Sequence, residues 1–180
     1  VDSGKFGQAS GFNTDEDASF KKLFGALGFK NEIATDLTGA FPTMSIKGNG
    51  YVFIMYDYDS NTIHAEPMKT KTGTELTTTY QRIQNLLSER GLTPKLHILD
   101  NECPQVLKTF MNKVKENFQL VPPHIHRRNA AERAIQTFKN RFLSIIYGAN
   151  RSFPANQWNR LLKQIVMTLN MVRRSRINPR

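Results

Sequence analysis

The chain has 180 residues, 39% of them hydrophobic, a mean hydropathy of −0.47 and a formal charge of +10. That length suits one α/β domain, no apolar run approaches the ~20 residues of a membrane span, and no signal-peptide pattern is visible. A single cysteine, Cys103, excludes an internal disulfide framework and fits a reducing, intracellular compartment. The charge is one-sided. From Val121 onward twelve Lys/Arg face one acid, Glu132, leaving thirteen basic and fourteen acidic residues before it. A basic surface can serve solubility alone, but such asymmetry suggests a polyanion partner, nucleic acid before others.

In chain order, residues 1–30 hold Gly, Ser, Asn and an acidic run, Asp15 to Asp17, before Phe20, Leu23, Phe24 and Leu27 at helical spacing. Two glycines weaken that helix, so the segment reads as a linker with a short docking element. Ile33–Thr38 alternates as a strand, with Ile33, Thr35 and Leu37 on one face and Ala34, Asp36 and Thr38 on the other. Gly48-Asn49-Gly50 is a turn signal before YVFIMYDY, a strand apolar on both faces. Asp57–Asn61 turns into Thr62–Met68, which completes an antiparallel meander. Gly73–Arg90 reads as a helix closed by Gly91, with Leu76, Tyr80, Ile83 and Leu87 on its inner face.

Lys95–Leu99 is a predicted strand, Pro104–Asn117 a helix, Phe118–Val121 a strand, and Asn129–Tyr147 and Pro154–Arg173 two long helices. Trp158, Leu161, Leu162, Ile165, Val166 and Leu169 form one stripe on the last helix. Three strands followed by alternating helices and strands describe a mixed sheet with helices on its faces. Strands 1 and 4 are then parallel neighbours, which brings Asp36 towards Asp100. The expected organisation is a linker over 1–30, a core over 31–150 and a C-terminal helix with basic tail over 151–180. The start at Val1 and the stop after an Asn-Pro turn signal read as a piece of a longer polyprotein.

Three carboxylates invite a chemical reading, and each has a structural rival. Asp36 fits a solvated strand residue, Asp100 an N-cap for the helix that follows. Asn129-x-x-Glu132 resembles a capping box, the simpler local reading for Glu132. The functional alternative joins all three around Mg²⁺, which takes hard oxygen ligands and keeps waters and phosphate oxygens. Two such ions about 3.5–4 Å apart serve in-line phosphoryl transfer. Glu132, Gln136 and Lys139 share one helix face, so Gln136 and Lys139 can hold a phosphate beside the metals.

The segments IATDLTGAFP, YVFIMYDYDSNTIHAEPMK, LHILDN and VPPHIHRRNAAERAIQTFKNRF resemble the catalytic core of retroviral and retrotransposon integrases. TLNMVRRSRINP resembles the region after that core in the Pol polyproteins of eukaryotic retroelements. The resemblance spans Ile33 to Pro179 and rests on ordered blocks. It implies a ribonuclease H-like α/β fold: about five strands, the first three antiparallel, flanked by helices. Asp36, Asp100 and Glu132 match the family's catalytic, metal-binding triad, and Lys139 matches a lysine that contacts DNA ends. It further implies Mg²⁺ with Mn²⁺ able to substitute, 3′-end processing and strand transfer into target DNA, a homodimer or higher oligomer, and action in the nucleus.

There are departures. The 31 residues between Asp100 and Glu132 are fewer than the family usually has, and Asp36 to Asp100 is longer. Glu102 stands where a glycine commonly follows Asp-Asn. The zinc-binding His/Cys domain that precedes many such cores is not visible in this sequence. His124-x-His126 with Cys103 suggests zinc only weakly, for no cysteine pair supports it; the histidines are expected to order the basic loop or touch DNA. Arg127 and Arg128, with His126, are candidate phosphate contacts. Arg173, Arg174 and Arg176 are weaker ones, since positive charge suits a helix end anyway. Asp57 and Asp59 read as turn residues. The competing functions are a non-catalytic DNA-binding module of the same fold and a ribonuclease H-like nuclease.

Overall fold

The computed structural model describes residues 31–99, 103–120 and 129–177, with side chains of the third stretch from Glu132 on. The predicted docking element within 1–30 lies outside these residues. Strands β1 (Glu32–Leu37), β2 (Tyr51–Asp57) and β3 (Thr62–Met68) are followed by helix α1 (Gly73–Glu89), β4 (Leu96–Leu99), α2 (Gln105–Lys113) and β5 (Asn117–Leu120). Helix α3 (Asn129–Gly148), a single 3-10 turn (Ala155–Gln157) and α4 (Trp158–Met171) complete the chain. The five strands lie in the order β3-β2-β1-β4-β5. β1–β2 and β2–β3 pair antiparallel, while β1–β4 and β4–β5 pair parallel, as the alternating pattern predicts.

The continuous apolar run of β2 is explained by its place in the sheet, because helices cover both faces. Val52, Ile54 and Tyr56 pack with Ile135, Phe138 and Phe142 of α3 and with Trp158, Leu162 and Ile165 of α4. Phe53 and Met55 point the other way, into a cluster with Ile33, Leu76, Tyr80, Ile83, Leu87, Leu99 and Leu107. The period of two along a strand makes this division. Residues 38–50, between β1 and β2, are tied to α4. The Phe41 and Trp158 rings stack at 4.3 Å, and Trp158 Nε1 donates to the Thr43 carbonyl at 2.9 Å.

Left-handed turns close two of the helices, one where the sequence reading put it and one where it did not. Gly91 (φ +71°) closes α1 as predicted: its N–H bonds the Ser88 carbonyl and Leu92 N–H the Leu87 carbonyl, a Schellman arrangement. α2 stops at Lys113, four residues short of the predicted Asn117, and Asn117 instead opens β5. The cause is Lys115 at φ +57°, whose N–H bonds Asn112 while Glu116 N–H bonds Met111. That turn drives Glu116 inward, where its carboxylate accepts from Tyr80 Oη and, at 2.7 Å, from Gln84 Nε2. The last helix is also shorter than predicted, ending at Met171.

The open edge of β3 is covered rather than left bare. Asn170 of α4 accepts from Ile63 N–H at 2.9 Å and donates to the Ile63 carbonyl at 2.8 Å, completing one residue's backbone pairing. Asp57 and Asp59 shape the β2–β3 turn, as expected. Asp57 accepts from Asp59 N–H at 3.0 Å and Ser60 Oγ at 2.9 Å, and Asp59 accepts from Asn31 N–H at 2.6 Å. No described helix is long and apolar enough to cross a membrane.

Candidate active site

The parallel pairing of β1 with β4 sets Ala34 opposite Ile98, so the central strand runs out beside the C-terminal end of β4. Asp36 stands at the end of β1. Its side chain is 45% exposed, although the strand leading to it is buried at Ile33 and Ala34. Asp36 Oδ1 accepts from Leu37 N–H at 2.8 Å, and Oδ2 accepts from Lys139 Nζ at 2.8 Å. The face predicted for Asp36, opposite Ile33, is the face it takes. Ile33 packs towards α1, whereas Asp36 meets α3 across the sheet.

Helix α3 positions Lys139 because Ala134, Ile135, Phe138 and Phe142 anchor its inner face against β2. Lys139, adjacent to buried Phe138, then projects along the flank towards β1. Glu132 lies in the first turn of α3 and is exposed. It precedes Lys139 by two turns, about 10 Å along the axis. Gln136 lies between them, exposed, donating through Nε2 to Asn140 Oδ1 at 2.9 Å. The structure therefore brings Asp36 and Lys139 into contact and keeps Glu132 and Gln136 on the same helix. Asp100, His126, Arg127, Arg128 and His124 lie outside the described residues.

Beside Asp36 a cleft of about 350 Å³ opens between β1, α1 and α2. Thr35, Lys71, Leu99, Cys103 and Leu107 are among its walls. Cys103 does not offer a reactive thiolate there: it is half-buried, and burial pushes its thiol up. Among the described residues no three His, Cys, Asp or Glu side chains converge on a metal position. The chemistry of the described donors nevertheless fits a hard divalent cation. Asp36 is a half-exposed carboxylate whose Oδ2 already draws an ammonium group to 2.8 Å, and Glu132 is free of burial.

Behind this site is a residue that the sequence reading did not single out. His97 of β4 is fully buried, stacks on Tyr80 at 5.0 Å, and shares a 2.9 Å hydrogen bond between Nε2 and Thr35 Oγ1. Burial pushes it down to about 3, so the imidazole is neutral at physiological pH. Its Nδ1 has no hydrogen-bond partner among the described residues. Which ring nitrogen carries the proton decides whether Thr35 Oγ1 accepts or donates in that bond. The signal available in sequence was the alternation of LHIL, which puts His97 on the same face as Leu99.

Two of the three arginines after α4, Arg173 and Arg176, are engaged within the fold through their side chains. Arg173 donates to the Asn61 carbonyl at 2.7 Å and to Asn61 Oδ1 at 2.6 Å. Arg176 donates to the Tyr58 carbonyl and lies over the Tyr58 ring at 4.1 Å. Both clasp the β2–β3 turn, on the far side of the sheet order from β4 and β5.

No family model matches the sequence, and no curated protein matches it. Solved structures do. The catalytic core domain of BIV integrase is similar with a TM-score of 0.56 at 14% identity, over 79% of this chain and 85% of that one. The HTLV-2 integrase catalytic core domain in complex with magnesium, in its trimeric form, gives 0.58 at 16% identity, over 79% and 86%. Its dimeric form gives 0.58 at 14% identity, over 82% and 93%. The chain thus has the ribonuclease H-like fold of retroviral integrase catalytic cores.

Proposed function

We propose that this chain is an integrase catalytic core, a metal-dependent polynucleotidyl transferase that processes retroelement DNA 3′ ends and joins them to target DNA. The observation that carries the reading is the meeting of Asp36 and Lys139 at 2.8 Å, at the end of the central strand of an integrase-type fold. In this reading Asp36, Asp100 and Glu132 hold Mg²⁺, with Mn²⁺ as a substitute. Bound there, such ions would supply activation of an attacking hydroxyl and neutralisation of charge on the phosphate. Lys139 and Gln136 orient the DNA end from α3, and His126, Arg127 and Arg128, just before it in the sequence, hold the backbone. Such contacts position DNA without reading its sequence.

Thr35, hydrogen-bonded to His97, adds a side-chain tie between β1 and β4 beside the carboxylate. The core extends over 31–150, with α4 packed on it. The active form is a homodimer or higher oligomer, in keeping with the dimeric and trimeric HTLV-2 cores, and it acts on nuclear DNA within a longer retroelement polyprotein product. A second reading, a non-catalytic DNA-binding module, draws on the Lys139 ammonium seated on the candidate metal ligand.

The test is disintegration, the reversal of strand transfer, on branched DNA with Mg²⁺ or Mn²⁺, comparing wild type with Asp100→Asn. The expected outcome is metal-dependent joining that falls at least 100-fold in the variant, about 2.7 kcal/mol in barrier height. Cleavage of an RNA–DNA hybrid without any joining would move the assignment to a ribonuclease H-like nuclease. A folded wild type that binds DNA and joins nothing would favour the binding module.

A further inference from the structure

The Asp36–Lys139 contact joins two groups that the proposed chemistry assigns to different ligands. Asp36 would face a divalent cation and Lys139 a phosphate, yet here each is the other's partner at 2.8 Å. The oxygen involved matters. Oδ1 is turned to Leu37 N–H, so Oδ2 is the outward oxygen, and it is the one Lys139 takes. A divalent ion and an ammonium group cannot both sit against that oxygen without close like-charge repulsion. Something has to move when the ion arrives, and the structure shows which group can.

β1 is held between β2 and β4, and α3 is anchored by Phe138 and Phe142. Lys139, by contrast, has a flexible four-carbon stem and a 33% exposed side chain. Around it Gln136 is paired to Asn140 and Thr137 to the Arg133 carbonyl, so these neighbours offer it no carboxylate to fall back on.

We infer that Lys139 is a positioning residue that couples metal loading to phosphate capture. It is the counter-cation of Asp36 until a divalent ion displaces it, and the released ammonium then turns to the DNA phosphate. The inference rests on the metal-site reading of Asp36 proposed above. Coupling of this kind is reciprocal: whatever the pair contributes to holding Lys139 opposes the ion by the same factor. Both side chains are substantially exposed, which limits that factor to about two- to five-fold.

Two measurements on the full chain test it without reference to catalysis. The first is acylation of lysines by acetic anhydride, read by mass spectrometry with and without Mg²⁺, with exposed Lys113 of α2 as internal reference. Lys139 labelling should rise about two- to five-fold with Mg²⁺. In Asp36→Asn it should be high from the start and unaffected by Mg²⁺. The second is Mn²⁺ titration followed by electron paramagnetic resonance. Lys139→Met should bind about two- to five-fold more tightly than wild type, while Asp36→Asn loses the site.

Mn²⁺ binding that depends on Asp36 but is indifferent to Lys139→Met, with labelling unchanged by Mg²⁺, would overturn the coupling and leave the metal site standing. The absence of any Asp36-dependent Mn²⁺ binding in both wild type and Lys139→Met would remove the metal-site reading, and the coupling with it. The wild-type half of the labelling arm, with and without Mg²⁺, needs no substitution, so it holds even if one impairs folding.

Discussion

Burial sets the protonation of two histidines on the sheet, and this gives the fold an acid-sensitive side. His97 is pushed down to about 3 by burial, and His64 of β3 to about 4, by burial first and Arg90 second. In the unfolded chain both titrate near 6.5. Between the folded and unfolded values the unfolded state binds the proton and the folded state refuses it. Stability is therefore fully present above about pH 6.5 and is lost as pH falls towards 3 for His97 and towards 4 for His64. Each contributes a slope of up to about 1.4 kcal/mol per pH unit. Asp57 and Glu116 act in the opposite sense. Burial raises both, so they favour the folded state as pH falls through their raised values and offset part of the loss. A difference measurement isolates His97. In urea unfolding from pH 6.5 to 4, His97→Phe should flatten the fall in stability by up to about 1.4 kcal/mol per pH unit. Equal slopes for the two proteins would mean that His97 takes up its proton in the fold.

Helix ends are where single elements were decided, and two of them make opposite predictions. Gly91 closes α1 at φ +71°, and the position a Cβ would occupy there has nothing within 4 Å, so a side chain meets conformational strain and no clash. Gly91→Ala should cost about 1 kcal/mol. Lys115 closes α2 at φ +57°, a conformation that glycine adopts freely, so Lys115→Gly should leave stability unchanged or raise it by up to about 1 kcal/mol. Urea midpoints with unchanged slopes would check both; a loss on Lys115→Gly would show that its side chain contributes more than its backbone costs. These ends also mark what the sequence disclosed. Gly91 announced its turn, and the apolar run of β2 and the stripe of α4 announced burial, because composition and period reflect local geometry directly. The end of α2 did not show, since a left-handed lysine looks like any other. The Glu116 carboxylate that this turn directs inward is received by Tyr80 and Gln84, 36 and 32 residues earlier on another helix. The same limit applies at the candidate site. The face of Asp36 was legible from alternation, but its contact with Lys139 spans 103 residues, and His97 meets Thr35 across 62.

At the scale of the whole molecule, net charge overstates the surface free to meet a polyanion. The excess of +10 lies in the last third of the sequence, yet part of it is turned inward. Arg173 holds Asn61 through two hydrogen bonds, and Arg176 reaches the Tyr58 carbonyl and ring. These bonds tie the end of the chain to the β2–β3 turn, so their removal should be felt in folding before it is felt in binding. Arg173→Ala should destabilise by about 1–3 kcal/mol, because it strips a donor pair from the Asn61 carbonyl and amide. On DNA it should leave the slope of log affinity against log salt unchanged. Lys139→Ala should do the reverse, reducing that slope by about 1 while costing at most about 1 kcal/mol of stability. The slope is the informative quantity because it counts phosphates neutralised, whereas affinity at one salt concentration mixes contacts with folding. Anisotropy titrations of a labelled duplex across a salt series, beside urea unfolding of the same variants, separate the two. A reduced slope for Arg173→Ala at unchanged stability would move the DNA path to the β2–β3 turn and away from Asp36.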